Sequence, residues 1–226
     1  MNKRKGLLAF LLAWIIFSFP IFASAEALKT ISHGSREEKC IALTFDDGPH
    51  PRYTERILEI LKKYDVKATF FMIGSNVEQY PEIAARVAKE GHEIGSHTYS
   101  HPQMLHIEED VFFKEIKCCE EALAQCGIPR PRLFRPPQGF RTERQCEMLC
   151  EAGYSMVIWS LDTHDWKSVP SKEIVKFVFE NVQGGDILLF HDYVSGQNTT
   201  ITALEQIIPK LQQDGYRFVT VSSLSE

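Results

Sequence analysis

From residue 41 to residue 221 the chain alternates short apolar runs with longer amphipathic ones, and this alternation is the strongest constraint on its fold. The short runs, at 41–45, 68–73, 92–96, 132–135, 155–160, 186–190 and 216–221, each predict a strand. Helical spacing between them predicts helices at 53–64, 81–90, 108–125, 142–152, 171–181 and 200–213. In the third of these Phe112, Ile116, Cys119 and Leu123 recur at helical intervals and mark a core-facing stripe. Gly91, Gly127, Gly153 and Gly215 follow four of the helix candidates, where a left-handed cap is sterically cheap. Strict strand–helix alternation implies parallel strands, hence an α/β fold that is either a seven-unit barrel or an open doubly wound sheet.

The first 25 residues stand outside this pattern. Lys3, Arg4 and Lys5 precede an apolar run that ends at Phe22, and Ala23-Ser24-Ala25 supplies a small-residue cleavage site. Residues 1–25 therefore read as a signal peptide, with a secreted or extracytoplasmic product beginning at Glu26. The competing reading is an uncleaved membrane anchor, which Pro20 and the cleavage triplet argue against. Cleavage removes three basic residues and no acidic one, so the formal net charge of −5 becomes more negative still. Such a balance excludes nucleic-acid binding through charge.

Residues 26–37 are a polar lead-in, and 38–222 form one domain, whose size suits a sizeable core. An apolar content of 44% excludes general disorder. Six cysteines in an exported chain suggest disulfides without specifying their pairing. The adjacent Cys118 and Cys119 are not expected to pair together. Cys146 and Cys150 read as core thiols or disulfide partners, because no His or second Cys pair completes a zinc pattern.

The chemistry falls just past the C-terminal ends of the strand candidates. Asp46 and Asp47 follow the first strand, His97 and His101 the third, Asp162 and Asp165 the fifth and His191 the sixth, while Arg135 ends the fourth. In a parallel barrel those ends converge on one face, where active sites form. Two adjacent carboxylates after an apolar strand repel each other unless they have partners, and a metal ion resolves that conflict. A plain Asp-Asp-Gly-Pro turn is the simpler account of the same tetrapeptide. His97 and His101 can reach one ion if their segment makes a helical turn, although Thr98 in place of Glu departs from a zincin helix. One carboxylate with two histidines leaves positions open for water and substrate, as a catalytic centre requires. Arg135 precedes Pro136-Pro137, which stiffen the segment and project the guanidinium, with an ordinary salt bridge as the alternative. His191 ends an apolar run, where an ionisable ring needs a reason to be present, and either Asp162 or Asp165 could bond to it.

Five segments together resemble the motifs of the polysaccharide deacetylase family, also called the NodB-homology or carbohydrate esterase 4 family. They are Thr44-Phe45-Asp46-Asp47-Gly48-Pro49, His97-Thr98-Tyr99-Ser100-His101, Arg135-Pro136-Pro137-Gln138-Gly139, Asp162-Thr163-His164-Asp165-Trp166 and Leu189-Phe190-His191-Asp192, in family order. The resemblance implies a distorted (β/α)7 barrel of parallel strands with the active site at their C-terminal ends. It implies that Asp47, His97 and His101 hold a divalent ion, usually zinc, with cobalt, manganese or nickel as alternatives. Asp46 would then be the general base, His191 the general acid, Asp165 its charge partner and Arg135 the residue orienting Asp46. Gln138 and Gly139 would lie at the oxyanion and substrate site. Trp166, with Phe140 and Trp159, would stack on a sugar or line the pocket, unless these rings are simply core.

The implied reaction is hydrolysis of N-acetyl groups on N-acetylglucosamine-type sugars of peptidoglycan or chitin-like oligosaccharides, making an acetylated glycan the partner. O-deacetylation of acetylxylan, or a catalytically inactive metal-containing carbohydrate-binding protein, are the competing functions. Gln138 stands where many family members carry Tyr, which bears on the substrate more than on the reaction.

Overall fold

A computed structural model describes residues 30–193 and 199–225; the leader reading of residues 1–25 lies outside the described residues. Eight parallel strands form one curled sheet: β1 (Cys40–Gly48), β2 (Thr69–Met72), β3 (Glu93–Ser96), β4 (Leu133–Phe134), β5 (Ser155–Met156), β6 (Leu161–Asp162), β7 (Ile187–His191) and β8 (Arg217–Val219). The spatial order is β5-β4-β3-β2-β1-β7-β6, with β8 added beside the first residues of β1. This is the distorted barrel expected from the motifs, built of parallel strands.

Of the candidate at 155–160 only the first two residues are strand, as β5, and β6 begins just past its end, because the pairing partner changes along the segment. Val157 N–H still bonds to Phe134 of β4, whereas Ile158 N–H bonds to Ile31 and Leu161 pairs with Leu188 of β7. The described part of the polar lead-in thus lies in the gap between the two sheet edges, with Ile31 bridged to Val157 and His33 to Asp186.

The helices are α1 (Tyr53–Lys63), α2 (Gly74–Gln79), α3 (Pro81–Lys89), α4 (Glu109–Gln125), α5 (Glu143–Glu151), α6 (Ser171–Asn181), α7 (Thr200–Gln213) and α8 (Val221–Ser225). Six of them match the periodic segments to within a residue or so. The short α2 and α8 carry too few turns for a period to show in the sequence. Thr142 and Gln145 exchange side-chain and backbone bonds in a capping box that starts α5. The four glycines at helix ends all take positive φ, between 72° and 87°. One face of each long helix packs on the sheet. Ile57, Leu58 and Leu61 of α1 and Leu204, Ile207 and Ile208 of α7 are sealed against Phe45, Phe70 and Phe190. Burying such side chains is worth roughly 1.5–3 kcal/mol each, which fixes β1 at the centre of the molecule. All six cysteines are free thiols, so the disulfides suggested by their number are not formed.

Candidate active site

β1 carries the first two residues of the site, and a bulge decides where they point. Its register with β2 shifts between Asp46 and Gly48, and Asp47 takes φ 73°. Successive side chains on a regular strand face opposite sides, whereas a bulge turns both carboxylates toward one cavity. The turn expected from Asp-Asp-Gly-Pro therefore begins only after Gly48.

His97 and His101 do not lie on a helical turn, contrary to the spacing argument. The segment is irregular, with Thr98 at φ 70° and His101 at φ 56°. It nonetheless brings the two rings to Asp47, whose Oδ1 lies 3.5 Å from His97 Nε2 and 3.4 Å from His101 Nε2. His97 Nδ1 donates to the Arg135 carbonyl at 2.7 Å, which leaves the lone pair on Nε2. Burial pushes the pKa of this ring down, against the pull of Asp46 and Asp47. Asp47 Oδ1 is itself buried with no hydrogen-bond donor. A carboxylate oxygen and imidazole nitrogens facing one another without a donor between them suit a cation, and ligand atoms of the three residues lie within 4.8 Å of one another. The donor set therefore fits a divalent metal; among the described residues no other group of three His, Cys, Asp or Glu does so.

Asp46 sits beside this triad with its two oxygens in different surroundings. Oδ1 accepts a 2.7 Å bond from Arg135 Nη1, which also donates to Thr44 Oγ1 at 2.8 Å. Oδ2 lies 3.8 Å from His97 Nε2, on the ligand side. The Arg135 guanidinium is fully buried over the Phe71 ring, 4.1 Å from its centroid, and burial pushes its pKa down against the opposing pull of Asp46.

His191 closes the opposite wall. Of the two carboxylates that could bond to it, Asp165 does so: Oδ1 accepts from His191 Nδ1–H at 2.8 Å and Oδ2 accepts from the His191 amide and Thr200 Oγ1. Asp162 instead accepts from the His164 amide and faces the Trp166 indole N–H at 3.3 Å. Burial works against a charge on His191, but the Asp165 hydrogen bond and the nearby carboxylates outweigh it and lift its pKa to about 9.

A cavity of about 500 Å3 joins these groups, lined by Asp46, Asp47, His97, His101, Gln138, Phe140, Trp159, Asp162, Trp166, Leu189 and His191. Arg135 and Asp165 bond to residues of that wall from behind it. Gly139 does not line the cavity: its N–H is taken by the Pro136 carbonyl, and any Cβ there would meet Trp159 at 2.7 Å. Gln138, at φ 58°, does line it; the Phe140 N–H is taken by Pro137, and among the described residues no acceptor engages the Gln138 N–H. Trp166 and Phe140 stand half exposed at the mouth, so neither is a core ring. Neither motif nor spacing pointed to Asn76, which donates to the Asp47 carbonyl at 2.8 Å, or to Glu115, which accepts from the amides of Tyr99 and Ser100.

Residues 33–157 match the family model described as polysaccharide deacetylase. The chain is 43% identical over 208 residues to a peptidoglycan-N-acetylglucosamine deacetylase of Bacillus cereus, covering 92% of this chain and 76% of that protein. It is 40% identical to a peptidoglycan-N-acetylmuramic acid deacetylase of Bacillus subtilis, covering 84% of this chain and 39% of that protein. Among solved structures, a peptidoglycan N-acetylglucosamine deacetylase in complex with an N-oxidanyl-benzamide superposes with a TM-score of 0.84 at 40% identity, covering 88% of this chain and 93% of that one.

Proposed function

This chain belongs to the polysaccharide deacetylase family, and from that membership we propose that it removes N-acetyl groups from N-acetylglucosamine-type sugars of peptidoglycan, outside the cytoplasm. The observation that carries the reading is the convergence of three units on one cavity: the Asp47–His97–His101 donor set, the Asp46–Arg135 pair and the His191–Asp165 pair. A sugar-binding protein has no use for the second and third. The two named relatives act on peptidoglycan sugars, which favours that polymer over chitin-like oligosaccharides.

A divalent metal held by Asp47, His97 and His101, zinc by the donor set, would supply Lewis acidity that makes water easier to deprotonate and the acetyl carbonyl easier to attack. Asp46 takes the water proton on Oδ2, because Arg135 occupies Oδ1 and keeps the carboxylate aimed. The oxyanion that forms at the acetyl carbon accepts from the Gln138 N–H, a contribution of about 3 kcal/mol for a well-placed donor. His191 holds its other ring nitrogen toward the cavity because Nδ1 is tied to Asp165. From there it delivers a proton to the leaving nitrogen, releasing acetate and a free amine. Trp166 and Phe140 present apolar faces on which a sugar ring packs.

Acetate release from peptidoglycan, N-acetylglucosamine oligomers and acetylxylan tests this, with and without a chelator. Release from peptidoglycan that is abolished by chelation, by Asp46→Asn and by His97→Ala is the expected result. Chelator-insensitive release, or release from acetylxylan alone, would sink the proposal.

A further inference from the structure

The three donor residues differ in how their backbones are held. His97 follows β3 directly, and its ring is pinned by the Arg135 carbonyl. Asp47 and His101 sit in strained backbone, at φ 73° and 56°, with Thr98 at 70° between the two histidines. A non-glycine residue in this region costs on the order of 1 kcal/mol and persists only where its surroundings hold it there.

Two residues outside the five motifs do that holding. Asn76, in the first turn of α2, donates from Nδ2 to the Asp47 carbonyl at 2.8 Å. Glu115, in the middle of α4, lies beneath the loop between the histidines. Its Oε2 accepts from the Tyr99 amide at 2.9 Å and the Ser100 amide at 2.7 Å, and its Oε1 from Ser100 Oγ at 2.7 Å. Bonds to an ionised acceptor are roughly twice as strong as neutral ones. The backbone of α2 adds two more bonds, from Gly74 N–H to Thr98 and from Ser75 N–H to Tyr99. One short helix therefore ties the Asp47 bulge to the histidine loop, and one carboxylate occupies two of the three amides that lie between His97 and His101.

We propose that Asn76 and Glu115 are positioning residues that set the metal affinity of the Asp47–His97–His101 site, Asn76 through Asp47 and Glu115 through His101. This rests on the metal reading of that site. Without Glu115 the Tyr99 and Ser100 amides turn to water, the His101 backbone relaxes, and its Nε2 leaves the position 3.4 Å from Asp47 Oδ1. Loss of an outer partner of this kind typically weakens a metal site by about 10- to 100-fold.

The test is a zinc(II) competition titration against a chromogenic chelator, together with thermal unfolding of the metal-free protein. Asn76→Ala and Glu115→Ala are each expected to raise the zinc Kd by about 10- to 100-fold. Glu115→Gln keeps an amide-accepting oxygen and is expected to raise it less, and it carries the test if the alanine variant does not fold. Glu120→Ala is the control on the same helix. It removes bonds to Arg130 and Tyr154 remote from the site, and lowers the melting temperature without changing the zinc Kd. Zinc Kd values within twofold of wild type for the Asn76 and Glu115 variants overturn this proposal alone. So does an equal weakening by Glu120→Ala. A wild-type protein that takes up no zinc overturns both this proposal and the metal reading.

Discussion

Arg135 and Asp46 form an ion pair sealed from solvent, with Nη1 2.7 Å from Oδ1 and side-chain exposures of 0% and 4%. Removing one member of such a pair leaves an uncompensated buried charge, which costs about 3–5 kcal/mol, whereas removing both costs far less. Arg135→Met is therefore expected to lose that much stability in urea unfolding. The double variant Asp46→Asn with Arg135→Met should regain most of it and remain inactive. Recovery of activity in the double variant would remove Asp46 from the chemistry.

His191 supplies the pH dependence. Its folded pKa, about 9, lies above the ordinary 6.5, so the charged ring adds stability that is complete below 6.5 and is lost as pH rises toward 9. Asp165→Asn should flatten that loss and bring the alkaline limb of kcat/KM down toward neutrality. Part of the upward shift comes from Asp46 and Asp47, whose field a bound cation offsets. NMR titration should accordingly find a lower His191 pKa in the zinc-loaded protein than in the metal-free one. An equal or higher value with zinc would mean that the ion does not occupy the Asp47 site.

Much of this arrangement could be read from the sequence because Asp46, His97, Arg135 and His191 each sit immediately beyond, or at the end of, an apolar run. Strand ends in a parallel sheet converge regardless of detail, so Asp46, His97, Arg135 and His191 could be brought together without coordinates. What could not be read depends on local backbone. Asp162 ends β6 and Asp165 follows three residues later, and the choice between them is made by His164 in a left-handed conformation that turns the chain before Asp165. The bulge at Asp47 likewise has no sequence marker. Asn76 acts on Asp47 across 29 residues of chain from an element too short to show a period, and Glu115 acts on Ser100 across 15 from a helix whose apolar stripe marks its core face and not its polar contacts.

Gly139 tests the packing behind the mouth. It takes φ 73°, and a Cβ would stand 2.7 Å from the Trp159 ring. Gly139→Ala adds backbone strain of about 1 kcal/mol and pushes Trp159 toward the cavity it lines. A higher KM with little change in metal affinity is expected from steady-state kinetics and zinc titration. An unchanged KM would show that Trp159 yields in another direction.

Gln138 separates what a backbone does from what a side chain does. Its N–H is the donor assigned to the oxyanion, and its side chain lines the cavity at a position where many family members carry Tyr. Gln138→Gly keeps the N–H and suits φ 58° better than any side chain does. If only the backbone acts in the transition state, kcat should stay within a few fold of wild type while KM and the preference among glycan substrates change. A drop in kcat of about a hundredfold, the size associated with losing an oxyanion donor, would instead place the Gln138 side chain in the chemical step.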